Sequence, residues 1–259
     1  VIDTQTIDSF QKDGAVVLRG VIGTEWINKL QAGLQKNLDS PGPYMRGYTD
    51  QAAPGDFFGD YCNWQRIPEY EDFIRNSSMS AVARQLMKCQ KVNFFHEHAL
   101  VKEPGTLEKT PWHHDQPYYC VSGDDNVSFW VPLDPVPKKW GVEFIAGSHK
   151  WGRLFRPTRF VGQDYEQPDD GFEPIPDFNA ERKKHTILSY DLDVGDCIAF
   201  HFRTVHGAPG NGSADARRRA IAWRWTGSDA RFVLRKGIMS PPFHEMDECF
   251  LAVGDPPGQ

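Results

Sequence analysis

Across 259 residues no apolar run approaches the roughly 18 that a membrane-spanning helix requires, and no charged-then-apolar signal opens the chain. Positive charge is also short. The net charge is −6, which argues against a surface for nucleic acid or anionic membrane. Cysteine is sparse, with five residues scattered at positions 62, 89, 120, 197 and 249 and no Cys-x-x-Cys pair. That set excludes a disulfide framework and a cysteine zinc site, and it predicts a reduced, cytoplasmic protein. There is no repeat period and no low-complexity tract. What is present is an apolar fraction of 39% with 13% aromatics, enough for one sizeable core. Residues 1–259 are therefore expected to form a single domain, a monomer or homodimer whose partner is a small molecule.

Short segments punctuated by turns follow one another. A short helix within 7–22 is expected to break at Gly14 and give way to a strand, Ala15–Leu18. Thr24 is placed to cap a second helix, whose Ile27, Leu30, Leu34 and Leu38 recur at spacings of three and four. A further helix fits 77–90. Alternation then marks strands at Val92–Lys102, Val127–Leu133, Thr186–Tyr190, Asp196–Phe202 and Arg218–Trp225. Many short strands of this kind imply a sandwich or barrel. Along Val92–Lys102 one face carries Phe94, His96, His98, Leu100 and Lys102. Two histidines and a lysine on one face suit a cavity wall; the alternative is two isolated histidines satisfied structurally. Segments 40–68 and 151–184 lack apolar periodicity and read either as covers over the mouth of the barrel or as surface excursions.

The chemistry concentrates in Thr110-Pro-Trp-His-His-Asp-Gln-Pro-Tyr-Tyr119. Side chains alternate along a strand, so His113 and Asp115 should lie side by side with His114 turned away. Imidazole plus carboxylate suits non-haem Fe(II) once a third ligand joins them. His206, in Phe202-Arg-Thr-Val-His-Gly-Ala-Pro-Gly-Asn211, is the candidate. Twelve residues on, Arg218 begins a strand and offers a guanidinium that can grip a carboxylate through two hydrogen bonds. Arg217 and Arg219 are its immediate rivals, and alternation sends them to the opposite face.

In order, these motifs resemble the phytanoyl-CoA dioxygenase family of Fe(II)/2-oxoglutarate oxygenases. The likeness runs through Asp13-Gly14, Leu100-Val-Lys-Glu-Pro-Gly105, Trp112-His-His-Asp115 and Trp130-Val-Pro-Leu-Asp134. It continues through Ala146-Gly-Ser-His149, Gly195-Asp196, His206-Gly207 and Asn211. The resemblance implies a mainly β fold, a cupin-like double-stranded β-helix or jelly roll with flanking N-terminal helices. It implies Fe(II) on His113, Asp115 and His206, with 2-oxoglutarate and O2 as cosubstrates and succinate and CO2 as products. It favours Arg218, through the family's Arg-x-Ala-Ile pattern, as the anchor of 2-oxoglutarate. Trp130 corresponds to a family tryptophan near the cosubstrate, and Lys102 is a further candidate there. Relatives often carry a hydroxyl two residues after the distal histidine, where this chain has Ala208; Thr204 or another hydroxyl is the expected substitute. Related halogenases replace the carboxylate ligand with a small residue, so Asp115 argues against halogenation.

For substrate contact the candidates are Tyr118, Tyr119, Trp140, Glu143, Arg156 and Arg224. Arg224 shares a strand face with Arg218 and, if buried, needs a partner: an anionic substrate or a carboxylate such as Glu143. Clustered aromatics would instead suit an ammonium group. The reaction expected is hydroxylation of a C–H bond in a small polar metabolite or natural-product intermediate. An acyl-CoA hydroxylase of the same family and a non-catalytic metal-binding jelly-roll sensor are the alternatives. A zinc-type hydrolase also fits two histidines and a carboxylate, but it has no use for Arg218.

Overall fold

Gly14 ends the first helix and starts the first strand, because its φ of +76° is a conformation that side chains disfavour. The computed structural model describes residues 2–49, 55–157, 171–235 and 239–242. In chain order the elements are helix α1 (Thr4–Asp13), strand β1 (Ala15–Leu18), helix α2 (Thr24–Asp39), strands β2 (Arg46–Gly47) and β3 (Phe57–Tyr61), and helices α3 (Pro68–Asn76) and α4 (Met79–Met87). Strands β4 (Asn93–Lys102), β5 (Thr110–His113), β6 (Val121–Ser122), β7 (Asn126–Pro132) and β8 (Glu143–Ile145) follow. The rest are β9 (Ile187–Leu188), β10 (Cys197–Phe200), β11 (His206–Ala208), β12 (Arg218–Thr226) and β13 (Arg231–Phe232).

Seven strands form the major sheet in the order β1-β10-β7-β12-β4-β3-β2, and four form a minor sheet, β5-β11-β8-β9. Ladder pairings between these strands are antiparallel. This is the expected mainly β jelly roll, with helices flanking its outer face. On that face Leu30, Leu34, Tyr70, Phe73 and Leu86 from the helices pack against Val101, Phe129, Val131, Ile221 and Trp223 of the strands. The inner face meets the minor sheet, where Trp130, Phe144, Phe200, Ala220 and Ala222 cluster. Among the described residues no helix is long and apolar enough to cross a membrane.

Several local expectations are corrected. The second helix is capped by Gly23 rather than Thr24, which is its first helical residue, and no side-chain cap bond forms. Helix α3 was not foreseen; Pro68 at its first position has the fixed φ that suits a helix start. Segment 40–68 is partly sheet: β3 pairs with β4 and places buried Phe57 and Tyr61 beside it, with residues 50–54 outside the described residues. Phe94 does not share a face with His96. The register passes from Arg224↔His96 to Trp225↔Phe94, so Phe95 is an extra bulged residue and parity flips there. Phe94 accordingly packs with Trp223 and Trp225 on the helix side.

Candidate active site

Strand β5 stops at His113, and Asp115 adopts helical angles (φ −72°, ψ −39°) at the start of a short 3-10 turn. Strand alternation is therefore not what brings the two side chains together; the turn does. Across the ladder, His206 of β11 is the register partner of His113. One donor atom from each of His113, Asp115 and His206 lies within 4.8 Å of the others, and all three residues are buried. The donor set fits a metal ion. His113 Nδ1 bonds the Pro111 carbonyl at 2.8 Å and His206 Nδ1 bonds the Thr204 carbonyl at 2.9 Å. A carbonyl only accepts, so each Nδ1 carries the proton and each Nε2 keeps a bare lone pair. Burial lowers the proton affinity of both rings, to about 3 for His206, which keeps them neutral. Phe144 stacks on the His206 ring at 5.7 Å and fixes its plane.

The two oxygens of Asp115 have separate surroundings. Oδ1 is 3.7 Å from His113 Nε2 and 3.8 Å from His206 Nε2. Oδ2 takes Arg224 Nε at 3.3 Å and the Ser128 hydroxyl at 3.4 Å. Burial by itself would raise this carboxyl, but the charge of Arg224 beside it holds it down at about 2. His114 points away, as expected, and its Nε2 accepts the Phe155 N–H at 2.8 Å.

Strand β12 lays the floor. Its inward residues sit in successive rows: Arg218 beside Lys102; Ala220 beside Leu100; Ala222 between His98 and Trp130; Arg224 between His96 and Ser128. Two arginines six residues apart, separated by alanines, therefore stand roughly 20 Å apart along the strand. Arg218 is 7% exposed, and it donates to the carbonyls of Trp140 and Pro209. Lys102 donates to the carbonyls of Glu108 at 2.7 Å and Pro209 at 3.2 Å. Neither makes an ion pair among the described residues, and burial lowers Arg218 to about 10; burial, then Arg218, lower Lys102 to about 6. Their neighbours are committed elsewhere: Arg217 pairs with Glu103 at 2.8 Å, and Arg219 pairs with Asp134 through several bonds.

A cavity of about 560 Å³ opens onto this floor. His113, Asp115, His206, Arg218, Trp130, Lys102, Tyr118, Tyr119 and Arg224 all line it. Four expected residues do not. The Thr204 hydroxyl donates to the Gly14 carbonyl at 2.7 Å and fills the space where a side chain at Gly14 would stand. The Trp140 ring packs over Gly212, and only its carbonyl reaches Arg218. Glu143 pairs with Arg182 through two bonds of 2.8 Å, so the partner of Arg224 is Asp115 and not Glu143. Arg156 lies in the 151–184 segment, its backbone bonded to Glu173 at 2.7 Å. Arg153, in the same segment, pairs with Glu173, and residues 158–170 fall outside the described residues.

Of the two readings of the Val92–Lys102 face, the cavity wall is the one observed: His96 and His98 line the cavity, both neutral because burial disfavours their charge. Other residues that line the cavity were not foreseen. Thr110 also lines it, opposite Ala208 in the ladder, with its hydroxyl 3.4 Å from the Lys102 ammonium. A register shift between His206 and Ala208 turns Thr110 and His113 to the same side despite their odd spacing, which no sequence periodicity reveals. Met239, Ser240, Pro241 and Pro242 close another side, far along the chain from every motif.

A family model for phytanoyl-CoA dioxygenase (PhyH) matches residues 10–220. The dioxygenase cdmD of Talaromyces verruculosus is 25% identical over 279 residues, spanning 91% of this chain and 79% of its own. Among solved structures, SnoK, a non-heme alpha ketoglutarate dependent carbocyclase from nogalamycin biosynthesis, superposes with a TM-score of 0.75 at 20% identity, covering 98% of this chain and 93% of its own. The epimerase SnoN, in complex with Fe3+, alpha ketoglutarate and nogalamycin RO, gives 0.74 at 18% identity, covering 97% and 94%. At these identities the two structures share the fold.

Proposed function

Because the chain belongs to the phytanoyl-CoA dioxygenase family, we propose that it is an Fe(II)- and 2-oxoglutarate-dependent dioxygenase that hydroxylates a C–H bond of a small metabolite or natural-product intermediate. One observation carries the reading. Two unprotonated imidazole nitrogens and one carboxylate oxygen converge at one end of a buried cavity, and two cations without ion-pair partners among the described residues stand at the other. His113, Asp115 and His206 would hold the iron. Arg218, with Lys102 and the Thr110 hydroxyl beside it, would hold the far carboxylate of 2-oxoglutarate. Trp130 and the alanines of β12 would shape the space between. Iron with 2-oxoglutarate supplies the oxidation: one oxygen atom of O2 enters succinate, CO2 leaves, and the other becomes the new hydroxyl.

The protein's own part is to bind, orient and exclude water. Asp115 is the one acidic lining residue among those described, whereas Arg46, Lys102, Arg218 and Arg224 all line the cavity. This lining favours a neutral or anionic substrate over an ammonium compound, since an ammonium would leave water and find no free carboxylate. The volume must hold cosubstrate and substrate together, which favours a compact molecule over an acyl-CoA.

The test measures succinate formed from 2-oxoglutarate, with Fe(II), across a panel that includes matched neutral, anionic and cationic compounds. The expected result is substrate-stimulated succinate and a product heavier by one oxygen. A product that has lost two hydrogens, or an isomer of unchanged mass, would replace hydroxylation by ring closure or epimerisation. Absence of any iron-dependent 2-oxoglutarate turnover would overturn the reading.

A further inference from the structure

Arg224 is more deeply placed than a substrate contact requires. It is 6% exposed, its Nε lies 3.3 Å from Asp115 Oδ2, and its guanidinium carbon stands 5.5 Å from the centre of the Tyr119 ring. Ser128, its register partner on β7, reaches the same oxygen at 3.4 Å. Tyr119, also buried, is an electrostatic neighbour of both Asp115 and Arg224. The Asp115 N–H donates to the Phe202 carbonyl at 2.7 Å, so the backbone that carries the carboxylate is pinned as well. Meanwhile Oδ1 is the oxygen that faces the two unprotonated imidazole nitrogens.

We propose that Arg224, assisted by Ser128, is a positioning residue that occupies Oδ2, so that Asp115 offers a metal only Oδ1. The inference rests on the proposed metal role of the triad. A carboxylate that is free to turn can give both oxygens to one ion and take two coordination positions. Held by a strand neighbour and a guanidinium, it takes one, and the remaining positions stay open for a chelating cosubstrate and O2. Two effects oppose each other at this point. The positive charge of Arg224 disfavours a nearby cation, while the fixed carboxylate favours an ordered site. Removing the arginine should therefore not weaken metal binding; it should weaken what binds next.

The experiment uses Co(II) as an air-stable probe in place of Fe(II), with binding of Co(II) and then of 2-oxoglutarate followed calorimetrically. For Arg224→Met, Co(II) affinity should equal or exceed that of the unmodified protein, while affinity of the Co(II) form for 2-oxoglutarate falls about tenfold or more. Arg224→Lys, which keeps a cationic donor, should recover most of that loss, and Ser128→Ala should show a smaller one. A purely structural role would lower the melting temperature without separating the two affinities. Unchanged 2-oxoglutarate affinity in folded Arg224→Met, or in Ser128→Ala should the methionine variant not fold, overturns the clamp. If such variants alter only the KM of a substrate, Arg224 serves the substrate instead. Asp115→Ala checks the underlying reading separately: Co(II) binding at full strength in that variant defeats the metal site itself, whatever Arg224 does.

Discussion

Alternate residues of β12 face two different environments. Ile221, Trp223 and Trp225 point to the helices, where Trp223 meets Tyr70 at 5.4 Å and Phe73 at 4.8 Å between ring centres. Arg218, Ala220, Ala222 and Arg224 point to the cavity. The outer row is large and apolar and joins the sheet to α2, α3 and α4. The inner row is small or charged: alanines leave room, and arginines wait at each end. Stability and chemistry are thus carried by neighbours in sequence that never touch the same surroundings. The outer face also holds a group that its own rule would exclude. Glu97, the register partner of Trp223, is fully buried on the helix side.

The sharpest contrast comes from removing one residue of each face. Asp115→Ala is expected to abolish iron binding and turnover while the melting transition stays cooperative, because it deletes the one anionic donor of the triad. Trp223→Ala should do the reverse, costing roughly 3–5 kcal/mol of stability through a cavity beneath the helices. The fraction still folded should bind metal normally. Calorimetric melting and metal titration of both variants would break the comparison if each lost both properties together.

Arg218→Ala should raise the 2-oxoglutarate requirement about tenfold or more, as expected when a charge-assisted bond of roughly 1.5–3 kcal/mol is lost. Arg219→Ala, one residue away on the outer side, removes a half-buried pair with Asp134 and should leave that requirement unchanged. Cosubstrate titration of the two variants settles the register. A shift in Arg219→Ala alone would place the anchor on the wrong face.

The smallest effect concerns Glu97. Its carboxyl accepts the Asn63 N–H, and burial raises it to about 8, so the folded protein holds a proton that the unfolded chain releases near the ordinary carboxylate value of 4.5. Between those pH values the folded state binds more protons, and stability from this group falls as pH rises. Glu97→Gln keeps the acceptor and removes the proton exchange. Denaturant midpoints measured from pH 5 to pH 8 should fall less steeply in the variant; parallel curves would show that Glu97 is ionised throughout.

Much of the site was legible in the chain because its signals are local. Trp112-His-His-Asp115 lies within four residues, and the face shared by Arg218 and Arg224 follows from a period of two on an unbroken strand. The failures also have a common cause. Phe94 and Thr110 were unreadable because bulges at Phe95 and within β5 reverse that period, and a bulge is set by the partner strand. Thr204 matched an expected hydroxyl by type and by nearness to His206, yet its neighbour is Gly14, 190 residues away in sequence.

By itself, then, the sequence determined the mainly β class and singled out the candidate triad and the candidate cosubstrate arginine, because residue chemistry and strand periodicity are carried by adjacent residues. Only the tertiary structure decided that Arg224 meets Asp115 rather than Glu143, and that one carboxylate oxygen faces the imidazoles while the other faces a guanidinium. Those choices depend on which strands lie side by side and on a few ångströms between groups more than 90 residues apart in sequence. Local propensity carries no record of such distances.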